Sequence, residues 1–307
     1  MEERDPALFY FWAHGGSRNY DPMEELDTPT LHDLVDRADA VFLEFISSSL
    51  DGTGELEKDI NEYVRTKEMP FKLRDAYDYQ MRLEGKTTAE FFIADLLKGT
   101  SKRIVLEKTL AAPFDYNEES NMADMVFFAG SLEMAREARR RFLEVAEEYQ
   151  GRRDRDVTEQ IYAVPETVLV LFGAGHLEIE KRVAAKRPTE VHFPFYDYPV
   201  QFDTQLRIKY RETGELDEEL FLRKYAEDMS RKGVGTRFGK SISSRETDLL
   251  AHHYASIFTP DQIIGLKDYF VSCRRMLYGI SQDDIFDSYL KKEGITPVEE
   301  VLAGLRP

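Results

Sequence analysis

Short apolar runs punctuate the first two thirds of the chain: Ala7 to Ala13, Ala40 to Leu43, Ile104 to Leu106 and Thr167 to Phe172. Each is too short for a helix and rich in β-branched and aromatic residues, so each predicts a buried strand. A fifth strand is predicted over Glu190 to Phe195, after Pro188 has stopped a helix that follows His176. Between the strands the apolar spacing turns helical. Asp27 to Arg37 suits one or two turns. Residues 54–99 are helical with breaks at Met69-Pro70 and Gly85-Lys86, and Thr87 or Thr88 caps Ala89 to Leu97. Asn117 to Ala163 predicts two helices that meet near Gln150-Gly151, where glycine permits a turn.

This alternation predicts an α/β fold, a mainly parallel central sheet flanked by helices. Beyond about Asp203 the strand pattern stops. Leu216 to Ser230, Ser243 to Ile257, Pro260 to Tyr278, Ser281 to Lys292 and Pro297 to Leu305 all read as helices. The expected division is therefore an α/β core over residues 1–202, carrying the candidate site, and a helical extension over 203–307. The extension would pack on the core or form an interface, including one between copies of the chain.

With 307 residues and a hydrophobic share of 42%, the chain can bury a large core, which excludes wholesale disorder. Its net charge of -17 repels phosphate backbones and anionic lipid headgroups, so neither nucleic acid nor a membrane is an expected partner. The basic run Arg139 to Arg141 lies among Met134, Ala138, Phe142, Val145 and Tyr149 at helical spacing, and reads as a solvated helix face. Cys273 is the single cysteine, which excludes an internal disulfide and fits a reducing interior. The first residues lack a basic segment leading into an apolar one, and no stretch reaches bilayer-spanning length. A cytoplasmic protein is expected.

The candidate chemistry sits where the apolar runs end: His14, Glu44, Glu107 and His176. In a parallel sheet, side chains at the carboxyl ends of the strands converge on one crevice. Phe172-Gly173-Ala174-Gly175-His176-Leu177 places a histidine at the mouth of a helix, whose partly positive end favours the neutral imidazole suited to a base or metal ligand. Ala13-His14-Gly15-Gly16-Ser17-Arg18 places glycines after a histidine, with backbone N–H groups able to hold a developing oxyanion. Gly15, Gly16, Arg18 and Glu107 are the candidate substrate or oxyanion contacts. In the segment Arg152 to Ile161, Arg153 shares a helix face with Val157, Gln160 and Ile161. A guanidinium bordering that apolar face needs a carboxylate, and Glu44 is the expected partner.

Together these strings resemble a superfamily that includes the erythromycin esterases, the ChaN-type haem-binding proteins and the TraB/Tiki proteins. His14-Gly15-Gly16-Ser17-Arg18 is similar to the esterases' histidine-glycine turn, and Val41-Phe42-Leu43-Glu44 to their glutamate-ended second strand. Arg153-Asp154-Arg155-Asp156-Val157-Thr158-Glu159-Gln160 resembles their R-D-x-x-M-A-E-N helix, and Gly173-Ala174-Gly175-His176-Leu177 the late G-x-x-H of the TraB/Tiki branch. The chain departs from the pattern at Tyr10, Phe11 and Trp12, where the family carries glycine and, in the esterases, an acidic residue, and at Gly173, where an esterase has histidine.

The resemblance implies a hydrolase of ester or amide bonds acting on a small-molecule or peptide substrate. His14 would be a base or metal ligand, Glu44 its orienting partner, Arg153 a charge stabiliser and His176 a second base or ligand. A divalent zinc, manganese or iron ion held by His14, Glu44 and His176 is implied by the Tiki branch. Two alternatives stand beside it. A non-catalytic pocket of the ChaN type would hold haem, a metal or a small ligand, and an interaction module would use the C-terminal helices around a relic pocket.

Overall fold

The computed structural model describes residues 5–12, 26–47, 50–84, 88–110, 114–173, 176–193, 200–238, 241–242, 244–276 and 282–305. They form two compact units. One, the sheet unit, takes in the first strand with Asp21–Ala112 and Tyr149–Tyr196, and the other, the helical unit, takes in Pro113–Glu148 and Asp197–Pro307. The expected division kept residues 113–148 with the sheet, whereas their contacts group them with the C-terminal helices.

In the sheet unit the chain runs β1 (Ala7–Trp12), α1 (Pro29–Arg37), β2 (Ala40–Leu43), β3 (Ile46–Ser47), α2 (Leu50–Thr66), α3 (Phe71–Glu84), α4 (Ala89–Leu97), β4 (Arg103–Leu106) and β5 (Thr109–Leu110). After the excursion through the helical unit it returns with the end of a long helix, then β6 (Val168–Gly173), α7 (Leu177–Ala184) and β7 (Thr189–His192). Five strands pair in the order β4-β2-β6-β1-β7, every neighbour parallel. The short strands β3 and β5 pair separately, also in parallel.

Every residue of β1, β2 and β6 is buried, because both faces of the sheet are covered. Leu8, Tyr10, Val41, Leu43, Leu169 and Leu171 face one layer, which α1, α2 and α4 fill with Leu34, Ile60, Val64, Phe92 and Leu97. Phe9, Phe11, Phe42, Val170 and Phe172 alternate onto the other face and meet Val157, Ile161, Ile179 and Val183. Helix α1 starts where the sequence provides for it. The Thr28 hydroxyl accepts from the Leu31 amide at 3.1 Å, and Pro29 occupies the first turn.

Arg187, buried after α7, gathers the opposite rim. Its guanidinium donates to the carbonyl of Asp5 at 2.5 Å, Val164 at 2.7 Å and Ile161 at 3.2 Å, and also to those of Pro6 and Glu166. Two chain segments, the one before β1 and the one that leads from the end of α6 into β6, are thereby tied together by one side chain.

The helix expected to break near Gln150-Gly151 does not. Helix α5 (Phe114–Ala129) ends at Gly130, and α6 (Leu132–Tyr162) then continues for 31 residues, with Gly151 in its interior. The turn belongs to Gly130-Ser131, where the Ser131 hydroxyl accepts from the Met134 amide at 3.2 Å as an N-cap. The helical unit adds α8 (Phe202–Thr213), α9 (Glu218–Phe238), α10 (Ser244–Ile257), α11 (Pro260–Met276), α12 (Gln282–Lys292) and α13 (Val298–Leu305). Its core is aromatic, with Phe127 and Tyr225 stacked at 3.7 Å. Arg139 is a correction to the solvated face expected for its run. It is 1% exposed, bonded to Asp203 at 2.5 Å and set over the rings of Phe142 and Tyr225, while Arg140 and Arg141 do face solvent. Among the described residues no helix is long and apolar enough to cross a membrane.

Candidate functional site

The residues that follow β2 and β4 keep the sheet's bonding pattern for one step more. The Glu44 amide donates to the Leu171 carbonyl at 3.0 Å and the Glu107 amide to the Leu43 carbonyl at 3.0 Å. Their backbones are therefore as fixed as the strands, and both carboxyls point to the same place.

What lies between them is Arg153, from the last third of α6. Its Nε and Nη2 donate to the two oxygens of Glu107 at 2.6 Å each, a fork-on-fork pair, and Nη2 also reaches Glu44 Oε1 at 3.0 Å. The guanidinium lies 6.0 Å from the centre of the Phe172 ring. Backbone amides complete the carboxylates: Gly173 donates to Glu44 Oε2 at 2.8 Å and Phe45 to Glu107 Oε2 at 3.2 Å. The Glu107 side chain is wholly buried and that of Arg153 is 4% exposed. Burial alone would disfavour the guanidinium's charge, but Glu107 and then Glu44 outweigh it and hold the group firmly ionised.

His176 is the N-cap of α7 and closes the cluster from the end of β6. Its Nε2 lies 3.1 Å from both Arg153 Nη1 and Glu44 Oε1. Its Nδ1 lies 2.9 Å from Gln150 Nε2 and 3.6 Å from Asp154 Oδ1, and the Gln150 amide itself donates to Asp154 at 2.6 Å. The edge of its ring meets Phe172.

The helix's positive end, which favours the neutral imidazole, is opposed by the carboxylates around the ring. Burial presses the imidazole pKa down, yet the carboxylates of Asp154 and Glu44 outweigh burial and the Arg153 charge, and raise it above the ordinary 6.5. Glu44 and Glu107 flank the guanidinium, while Glu44 and Asp154 flank the imidazole. A folded value raised above the unfolded one means that the stabilisation is complete below pH 6.5 and is lost as pH climbs through the folded value. In urea unfolding, the stability difference between wild type and His176→Gln is expected to shrink as pH rises from the ordinary 6.5 through the higher folded value. A difference that stays constant or grows with pH would show that the imidazole is neutral throughout.

Of the residues singled out in the sequence, Glu44, Glu107, Arg153 and His176 come together here. His14, Gly15, Gly16 and Arg18 lie outside the described residues. Glu44 does pair with Arg153, but the closer partner is Glu107, which had been assigned to substrate or oxyanion contacts. Gln150 and Asp154 were missed as members, although Asp154 stands in the Arg-Asp string and Gln150 lies one helical turn before it. Glu90, in the first turn of α4, was also missed. Burial raises its carboxyl pKa, Thr88 bonds to it, and the charge of Glu44 adds to the rise.

The described residues do not fit a divalent ion or a haem iron. Glu44 already binds the Arg153 guanidinium and a backbone amide, both ring nitrogens of His176 are within bonding distance of side-chain partners, and Arg153 holds the position a cation would take. Among the described residues no three His, Cys, Asp or Glu side chains are grouped so as to hold a metal.

Comparison with protein-family models, curated proteins and solved structures found no match. The chemistry of the cluster therefore carries the functional argument. An arginine, three carboxylates and a histidine placed under the ends of three strands are a poor way to stabilise a fold, because desolvation consumes most of what ion pairing returns. Shifted titrating groups at the carboxyl end of a parallel sheet are a common feature of binding and catalytic sites.

Proposed function

We propose that the sheet unit is a hydrolase domain of the erythromycin-esterase, ChaN and TraB/Tiki type, acting on an ester or amide bond of a small-molecule or peptide substrate. The observation that supports it most is the position of His176, an imidazole locked between Glu44, Asp154 and Arg153 at the strand ends. In this reading His176 carries the proton that the leaving group takes up. Glu44 sets the orientation of the ring, and the Arg153–Glu107 pair fixes Glu44 while supplying positive charge to the developing oxyanion. His14, two residues past the end of β1, is the base that activates water.

The test is turnover of a panel of 4-nitrophenyl esters and aminoacyl amides by the purified chain. His176→Gln is expected to lower kcat/KM by about 10²-fold, the usual weight of one positioned proton-transfer group, with the far-ultraviolet spectrum retained. No turnover above buffer by the wild type, or equal turnover by the variant, would end the hydrolase reading.

A further inference from the structure

The sheet unit holds a second concavity, a cleft of about 540 Å³ within the range of small-molecule sites. Its place in the fold separates it from the ionic cluster. Asn61 of α2 pairs with both backbone groups of Ile104, and Glu57, one turn earlier, accepts from the Leu106 amide at 2.8 Å. Helix α2 therefore runs antiparallel to β4. The end of α2 that lines the cleft, with Tyr63 and Lys67, lies beside the start of β4, whereas Glu107 follows its finish.

The floor of the cleft is aromatic and soft. Tyr63 is almost wholly buried, Tyr77 stands edge-on to Phe91 at 5.0 Å, and Met69 is half-buried against the core. Three exposed cations surround it: Lys67, Arg74 and Lys98. None of them forms an ion pair among the described residues, in a chain of net charge -17.

The ordinary explanation of such cations is that they neutralise helix ends, and it covers Lys67 and Lys98, which follow the carboxyl ends of α2 and α4, but not Arg74. Lys98 also donates to the Tyr63 hydroxyl at 2.9 Å and lies over that ring, and the hydroxyl in turn donates to Asp95 at 2.5 Å. Arg74 stands near the amino end of α3, whose first turn has no acidic residue, so its charge opposes the helix dipole. Lys67 also adopts a left-handed backbone, φ 65°, where glycine or asparagine is the common choice. Its stem crosses Gly99 so closely that a Cβ there would lie 2.3 Å from Lys67 Cε. Strain of this kind is retained where a side chain is needed in one place.

We propose that this cleft is a binding site for a small aromatic anion, a planar ring bearing one carboxylate or phosphate group. The ring lies against Tyr77 and Met69, and the anionic group meets Lys67 and Arg74, beside Lys98 where it covers the Tyr63 ring. The carboxylates of Glu68 and Asp78 share the cleft and repel polyanions, which limits the ligand to a single anionic group.

Calorimetric titration of the full chain tests this, with indole-3-carboxylate and phenyl phosphate as the two anionic probes and indole-3-carboxamide as the uncharged one. At least one anion is expected to bind saturably at one site, and the carboxamide at least about tenfold more weakly, the worth of one charge-assisted contact. Lys67→Gly is expected to raise the thermal midpoint by relieving the left-handed strain while weakening binding about tenfold. Arg74→Glu, at an exposed position, should abolish binding while leaving the midpoint unchanged or slightly raised, since the new charge favours the helix dipole. His176→Gln should bind as the wild type does, so failure of the hydrolase reading leaves this result standing. Absence of saturable heat with either anion, equal binding of the carboxamide, or undiminished binding by Lys67→Gly and Arg74→Glu would overturn the proposal.

Discussion

Replacing Arg153 with alanine is expected to lower the unfolding free energy by about 3–5 kcal/mol, the usual cost of stranding buried carboxylates. Glu107 would lose both bonds of its paired contact and Glu44 one, inside a region that admits almost no water. Urea unfolding of wild type and variant measures the difference. Arg153→Lys should recover only part of it, because an ammonium cannot match two carboxylate oxygens in one plane. The combination of Arg153→Met with Glu44→Gln and Glu107→Gln should recover more stability than Arg153→Lys, since it removes the charges that made the loss costly. A single Arg153→Ala variant within about 1 kcal/mol of wild type would mean that the carboxyls take up protons or water freely, and the account of the cluster as a closed ionic unit would fail.

Arg187→Ala is expected to have a comparable effect at the other rim of the sheet, about 3–5 kcal/mol, from a different cause. Five carbonyls on two segments lose this donor together; Pro6 and Ile161 keep the amides of Val168 and Val164, while the Asp5, Val164 and Glu166 carbonyls each lose a bond worth on the order of 1 kcal/mol. Arg187→Lys separates charge from geometry. With three donors on one atom it cannot span acceptors from Asp5 to Glu166, so it should recover little. Near-complete recovery by lysine would show that the positive charge, not the spread of donors, holds this rim.

The strands were legible because they are buried on both faces. β1, β2 and β6 show as unbroken apolar runs, and the side chains that end them, Glu44 and His176, stood out by contrast. The edge strands were less clear, since β7 (Thr-Glu-Val-His) is half-exposed and mixed in character, and β3 and β5, of two residues each, are too short to leave a pattern. The long helix was misplaced for a local reason. Gly151 marks a break in sequence terms, yet a helix interior tolerates a glycine at modest cost, whereas the true break at Gly130 comes with a capping serine at 131.

Charge was harder to read than burial. Arg139 and Arg140 are neighbours with the same side chain, but only Arg139 meets a carboxylate and two aromatic rings, and those partners come from α6, α8 and α9. The electrostatic surroundings of His176 were hidden in the same way. The helix end next to it is visible in the sequence, while Asp154 and Glu44 are brought to it only by the fold.

The strands of the sheet also begin in step. Ala40 stands opposite Val168 and Arg103, and Val168 opposite Ala7. Glu44 and Glu107 each come four positions after those aligned starts, so distance along the polymer acts as a ruler that brings both acids to one height. Inserting or deleting a single residue within β2 or β4 would move the acid by about 3.3 Å and turn it to the far side. Lineages that keep this centre can therefore drift in the identity of their strand residues, but not in their number.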